Sequence, residues 1–292
     1  MNRKLLTALL ALCAALCLLP ALALAEGAAD VAIDPTNFPD ANFRTYVSTF
    51  DTDNDDCLTP EELAAVKSMR LIGKSIGDLT GIEHFTALTK LLCQKNQLTS
   101  LDLSKNTALE ELDCGDNQLT SLDVSANTAL KELYCGDNPL TSLDVSANTA
   151  LTDLNCINTQ RASLDVSANT ALTSLLCGEN QLTSLDVSKN TALTSLRCAK
   201  NQLASLDVSK NTALEDLDFR WNQLTSLDVS KNAALKDLDC RWNQLTSLDL
   251  SANPELSFSH CSPNNNTYRL TLDASRILDL TTLPGSLDVT KA

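Results

Sequence analysis

Residues 86–106 read TALTKLLCQKNQLTSLDLSKN, residues 107–127 TALEELDCGDNQLTSLDVSAN, and residues 128–148 TALKELYCGDNPLTSLDVSAN. The phrase returns every 21 residues, with Leu88, Leu109, Leu130, Leu151, Leu172, Leu193, Leu214 and Leu235 opening eight full units and Leu256 a degenerate ninth. Self-similarity at this period means that one small unit is repeated. No unit can bury its apolar face alone, so stacking must supply the core.

Each unit is nested: Leu91-x-Cys93-x-x-Asn96-x-Leu98 is followed by Leu101-x-Leu103-x-x-Asn106. Alternation in each half-phrase predicts a short strand whose outer residues face inward and whose middle residue faces outward. The unit leaves no room for a helix of ordinary length. Both flanks then repeat at the parallel-strand spacing of about 4.8 Å, which predicts little curvature. Asparagine columns from Asn96 to Asn264 and from Asn106 to Asn253 fall where the chain must turn. Inward amides there can pair backbone groups that burial would otherwise leave unpaired.

Over residues 88–256 these phrases resemble the leucine-rich repeat family, in its short bacterial class. The resemblance implies a mainly β solenoid with two short parallel strands per turn, and an extracellular binding scaffold as its use.

Eight of the 11 cysteines form one column: Cys93, Cys114, Cys135, Cys156, Cys177, Cys198, Cys240 and Cys261, with Phe219 in the same column. Side chains stacked in register sit near the strand spacing, beyond the disulfide Cβ range of roughly 3.5–4.5 Å. Reduced, buried thiols are therefore expected, with disulfides as the alternative. A second column, Asp102 to Asp249, is acidic in every unit; local hydrogen bonds from Ser100, Ser104 and their equivalents account for it, and a row of cations is the alternative.

By contrast, the outward residue of the first half-phrase changes from unit to unit: Leu92, Asp113, Tyr134, Asn155, Leu176, Arg197, Asp218, Asp239, His260. A varied face suits recognition, and Tyr134, Arg197 and His260 are candidate contacts. Arg220-Trp221 and Arg241-Trp242 stand one period apart, where other units carry Gly115-Asp116 or Gly178-Glu179. The two Trp should stack on adjacent rungs, either as a binding patch or as local packing over the arginine stems. In the fourth unit Thr159 takes an asparagine place and Arg161 an inward leucine place, from which its head should reach out to water.

Residues 26–87 precede the regular period. Asp51, Asp53, Asp55, Cys57 (through its carbonyl), Thr59 and Glu62 resemble the calcium loop of an EF-hand. Phe43, Val47 and Phe50 fit one face of an entering helix, and Leu63, Val66 and Met69 one face of an exiting helix after Pro60. Asp56 stands where the loop has Gly, at a position of positive φ. IGDLTGIEHFTAL, residues 76–88, resembles an internalin-type first repeat. The segment is expected to be a small α-helical, EF-hand-like cap holding a structural calcium, with residues 257–292 as a second cap or a truncated tail.

Residues 1–25 read as a cleaved signal peptide, with Arg3 and Lys4 before an apolar run that ends Ala23-Leu24-Ala25. A membrane anchor is the alternative, and Pro20 weighs against it. A secreted or surface protein follows, with no stable membrane insertion after cleavage. A net charge of -15 disfavours nucleic acid. With two histidines in the chain and no nucleophile–base grouping, an enzyme is not expected. The leading reading is a scaffold that binds an extracellular protein or glycan. A purely structural extracellular repeat protein is the runner-up, ahead of a hydrolase using surface carboxylates.

Overall fold

The computed structural model describes residues 29–260, 269–272 and 288–291. Residues 1–28, where a signal peptide is expected, together with Cys261, Asn264 and most of the C-terminal segment, lie outside them.

The first half-phrase of every described unit is a three-residue strand. β3 (Ser68–Arg70), β4 (Lys90–Leu92), β5 (Glu111–Asp113), β6 (Glu132–Tyr134), β7 (Asp153–Asn155), β8 (Ser174–Leu176), β9 (Ser195–Arg197), β10 (Asp216–Asp218), β11 (Asp237–Asp239) and β13 (Phe258–His260) form one ten-stranded parallel sheet. Register repeats the sequence period, Leu91 opposite Leu112 and Leu112 opposite Leu133. The backbone ladder continues past each strand, as Cys93 N–H donates to Asp113 O at 2.8 Å and Lys95 N–H to Gly115 O at 3.0 Å. Leu91 and Cys93 are buried while Leu92 between them is half-buried, as alternation requires.

The second half-phrase departs from the two-strand expectation. It is a strand only at β12 (Ser247–Asp249), which pairs with β14 (Arg269–Leu272), itself beside β15 (Asp288–Lys291). Asp102 Oδ1 accepts the N–H of Ser104 at 2.9 Å, and the same bond recurs from Asp123 to Ser125 through Asp249 to Ser251, the strand β12 included, so it shapes the turn after the half-phrase without deciding whether the half-phrase pairs. Adjacent coils still meet on this side through single bonds such as Gln118 N–H to Leu98 O at 2.9 Å.

The asparagine columns are structural, as their spacing indicated. In the first, Asn117 donates to the carbonyls of Cys93, Cys114 and Gly115 and accepts the N–H of Leu98. In the second, Asn127 donates to Leu103 O and Asn106 O, joining each coil to the one before it. The seven described ladder cysteines are all buried, and none is held in a disulfide. Burial pushes the Cys198 thiol up to about 12 and the Cys93 and Cys114 thiols further still.

The N-terminal cap packs against the first coil. β1 (Val31–Ala32) pairs antiparallel with β2 (Cys57–Leu58). Helix α1 (Ala41–Val47) starts where Asp40 accepts the N–H groups of Asn42 and Phe43. Its buried Phe43 meets Phe38 edge-on, and Phe38 and Phe50 reach Phe85 of the first repeat. Helix α2 (Pro60–Ala65) has Pro60 in its first turn and a capping box between Thr59 and Glu62. The exiting helix is shorter than expected: Met69 belongs to β3, buried in the core. The sheet thus begins at Ser68, inside the cap region.

Arg161 is the second correction. Its side chain does not reach water but is 1% exposed. Nε donates to Thr159 Oγ1 at 3.0 Å, while Nη1 and Nη2 have no hydrogen-bond partner. The Leu column at this depth is enclosed by neighbouring coils, so the stem is too short to carry the head past them.

Candidate binding surface and cation loop

Trp221 and Trp242 occupy one turn position on adjacent rungs. Their rings stack with centroids 4.5 Å apart and planes inclined by 13°. They are 48% and 44% exposed. Both backbones are left-handed, at φ 57° and 59°, as are Lys95, Asp116, Asp137, Asn158, Glu179 and Lys200 at this place in other units. The turn is therefore imposed by the coil, and small or polar residues bear it more easily than a bulky ring. Two Trp here carry both that strain and the exposure of apolar surface.

The arginines beside them are tied down. Arg241 Nη2 and Nε reach Asp239 Oδ2 and Oδ1 at 2.6 and 2.9 Å. Arg220 Nη1 reaches the same Asp239 at 3.3 Å and its Nε reaches Asp218 at 3.3 Å. Sequence reasoning named both arginines as contacts but missed Asp239, 8% exposed, as the hub that fixes them. The available signal was the repeated Asp-x-Arg of Asp218/Arg220 and Asp239/Arg241. Asp218, more enclosed than a surface acid, has its carboxyl raised chiefly by burial.

The other varied positions lie elsewhere on the sheet face. Arg197 pairs with Asp216 at 2.7 Å, and the Tyr134 hydroxyl donates to Glu132 at 3.1 Å. His260 ends β13, and its side chain lies outside the described part. The structure thus brings Arg220, Trp221, Arg241 and Trp242 together and leaves Tyr134 several rungs away. On the opposite flank, Asp123, Asp144 and Asp165 are held below the ordinary carboxylate range by Ser hydroxyls and N–H groups, so local bonds account for the acidic column there.

In the cap, oxygens of Asp51, Asp53 and Asp55 all lie within 4.8 Å of one another. Asp56 adopts φ 64°, the positive value its loop position demands. Asp53 is raised above its ordinary value, first by the charge of Asp55 and then by slight burial and Glu62. This crowding fits a cation. Glu62, however, accepts from Thr52 N–H and Oγ1 at 2.6 Å and from Thr59 N–H and Oγ1 at 3.0 Å. Those bonds pull its carboxyl from 4.5 down to about 2. A depressed acid stabilises the fold above its unfolded value. This contribution is therefore complete above about pH 4.5 and fades as pH falls toward about 2. Cys57 sits in β2, and Thr59 is the N-cap of α2.

Residues 86–127 match the family model for leucine-rich repeats in two copies. Over 71 residues the chain is 46% identical to internalin J of Listeria monocytogenes, a stretch covering 24% of this chain and 8% of that protein. A solved structure, the functional domain of InlJ from the same organism, described as including a cysteine ladder, matches at TM-score 0.68 and 36% identity. That match covers 91% of this chain and 62% of the other, so the chain spans less than two thirds of these relatives. A leucine-rich repeat protein of Leptospira interrogans, 23% identical with TM-score 0.61 over 66% of this chain and 58% of that one, shares the fold. With its one-strand coil, asparagine columns and buried thiols, the chain is a solenoid of leucine-rich repeats similar to that of the internalins of Listeria monocytogenes.

Proposed function

We propose that this protein is a secreted or surface-exposed scaffold that recognises an extracellular protein or glycan, with the Trp221–Trp242 row as its contact patch. The stacked pair carries the reading: exposed, bulky rings at left-handed turn positions cost stability, and the rest of the column shows that the coil does not need them. Trp is enriched where binding energy concentrates, and indole also stacks on sugar rings. Arg220 and Arg241, neutralised by Asp218 and Asp239, would stiffen the platform more than attract anions. Among the described residues no helix is long and apolar enough to cross a membrane. A glycan array and a surface-protein screen of the mature chain should supply a ligand. Trp221→Ala with Trp242→Ala should then weaken binding by about 2 kcal/mol or more with folding intact. Unchanged affinity moves the site to the face carrying Tyr134 and Arg197.

Calcium belongs to the same proposal as a brace for the cap. Asp51, Asp53 and Asp55 would hold the ion, with Glu62, the Cys57 carbonyl and Thr59 as the remaining expected ligands; the ion would supply positive charge that relieves their repulsion. Binding to the folded loop alone should raise the melting temperature in millimolar calcium. Glu62→Ala and Asp53→Asn should abolish that rise. A wild-type melting temperature indifferent to calcium rules the brace out.

A further inference from the structure

The aromatic column begins at a step in the surface. Turns of successive rungs stack backbone on backbone, with Lys200 N–H donating to Arg220 O at 2.8 Å and Trp221 N–H to Arg241 O at 2.9 Å. Lys200, Trp221 and Trp242 therefore occupy one column, a rung apart. Trp242 covers one face of Trp221. A ring covered on that face and still 48% exposed has its other face open, on the side of the Lys200 rung. Lys200 turns from it, because its Nζ reaches Glu179 Oε1 at 2.8 Å, a rung further from the rings. Beside Lys200, Ala199 carries a methyl where the next two rungs carry Arg220 and Arg241. The surface thus drops from two bulky side chains to a short one and one turned away, and Trp221 is the wall of the drop.

Size and charge restrict what can sit there. An indole side chain carries at most about 250 Å² of surface, so rings 48% and 44% exposed leave roughly 230 Å² open together. A protein partner or a second copy of this chain needs about 800 Å² on each side, far more than the rings offer. Ion pairs border the step: Lys200–Glu179 at 2.8 Å, Arg197–Asp216 at 2.7 Å and Arg220–Asp218 at 3.3 Å. Such a border has no net charge yet sets donors beside acceptors, which suits hydroxyl groups, since each both donates and accepts. A pyranose ring with equatorial hydroxyls has a flat C–H face for the indole and hydroxyls around its rim. The aromatic side chain of a peptide has only the flat face, and would cover the border without pairing it.

We propose that the open face of Trp221 is a subsite for one pyranose ring of a neutral oligosaccharide of the glucose or N-acetylglucosamine type, stacked as the next member of the aromatic column, with Trp242 as the prop behind it. The assignment rests on the contact patch proposed above and narrows it to a glycan and to one ring face. Rings in this column already stand 4.5 Å apart, and a sugar ring continues that step.

The test is calorimetric titration of the chain with cellohexaose and with the N-acetylglucosamine hexamer, beside trigalacturonic acid and N-acetyltryptophanamide, with a thermal melt to confirm that each variant folds. At least one neutral hexamer should bind saturably, with affinity changing less than about twofold between about 0.05 and 0.5 M salt. Trp221→Ala should weaken it by at least about thirtyfold. Trp242→Ala should cost about tenfold or less, and Trp242→Phe, which keeps a ring behind Trp221, less again. Failure of both hexamers to bind overturns the proposal, as does a greater loss in Trp242→Ala than in Trp221→Ala, or tighter binding of trigalacturonic acid or N-acetyltryptophanamide. A screened protein bound at the pair while both hexamers stay inert overturns the glycan assignment and leaves the contact patch standing. A hexamer bound equally well by the double Trp→Ala variant overturns both.

Discussion

Replacing Asn180 by Ala is expected to destabilise the solenoid by about 3–5 kcal/mol, the cost of orphaning two buried N–H groups and losing several bonds. Asn180 Oδ1 accepts from Thr159 N–H at 3.0 Å and from Arg161 N–H at 3.2 Å. Its Nδ2 donates to the carbonyls of Cys156, Cys177 and Gly178 at 2.9, 3.1 and 2.9 Å. Asn201 offers a built-in control, because its oxygen accepts only the Leu182 N–H, at 2.9 Å. Asn201→Ala should therefore cost about 1–3 kcal/mol less than Asn180→Ala. Equilibrium denaturation with an unchanged slope would measure both. Equal losses would mean that the fourth rung does not depend on Asn180 in the way its hydrogen bonds indicate. In a stack whose units touch only their neighbours, a lost coil also uncouples the two sides.

Arg161→Leu should act in the opposite direction and raise stability by about 1–4 kcal/mol, as when apolar residues replace buried charge elsewhere. Leu is the residue that seven other units place in this column, so the space accepts it with little rearrangement. The substitution gives up one bond, Nε to Thr159 Oγ1, and removes two terminal nitrogens that lack partners. The midpoint of chemical denaturation should shift upward. A variant less stable than the parent would show that the guanidinium has compensation of its own within the fold.

The solenoid was legible because its code is redundant. Each Leu, Cys and Asn recurs in nearly every coil, so an inward or outward assignment at Leu91 is checked again at Leu112 and Leu133. The second half-phrase misled for a specific reason. Leu101-Asp102-Leu103 has the period of a strand, but alternation alone does not supply a ladder, and adjacent coils meet on this side through isolated bonds such as Gln118 N–H to Leu98 O. Arg161 misled through depth, since side-chain length suggests escape to water while only the enclosing coils decide whether the head arrives. The Trp221–Trp242 stack followed from the period, yet the role of Asp239 did not. That role depends on two arginines from different rungs converging on one buried carboxylate, a contact between coils and not a local motif.

The chain contains two tryptophans, and both lie in the proposed contact patch. Intrinsic tryptophan emission therefore reports on this patch directly. Titration with a protein or glycan recovered from the screen should change that emission saturably, with a midpoint equal to the dissociation constant from calorimetry. Emission that stays constant through saturation, while calorimetry shows the ligand bound, would contradict recognition at the Trp221–Trp242 row.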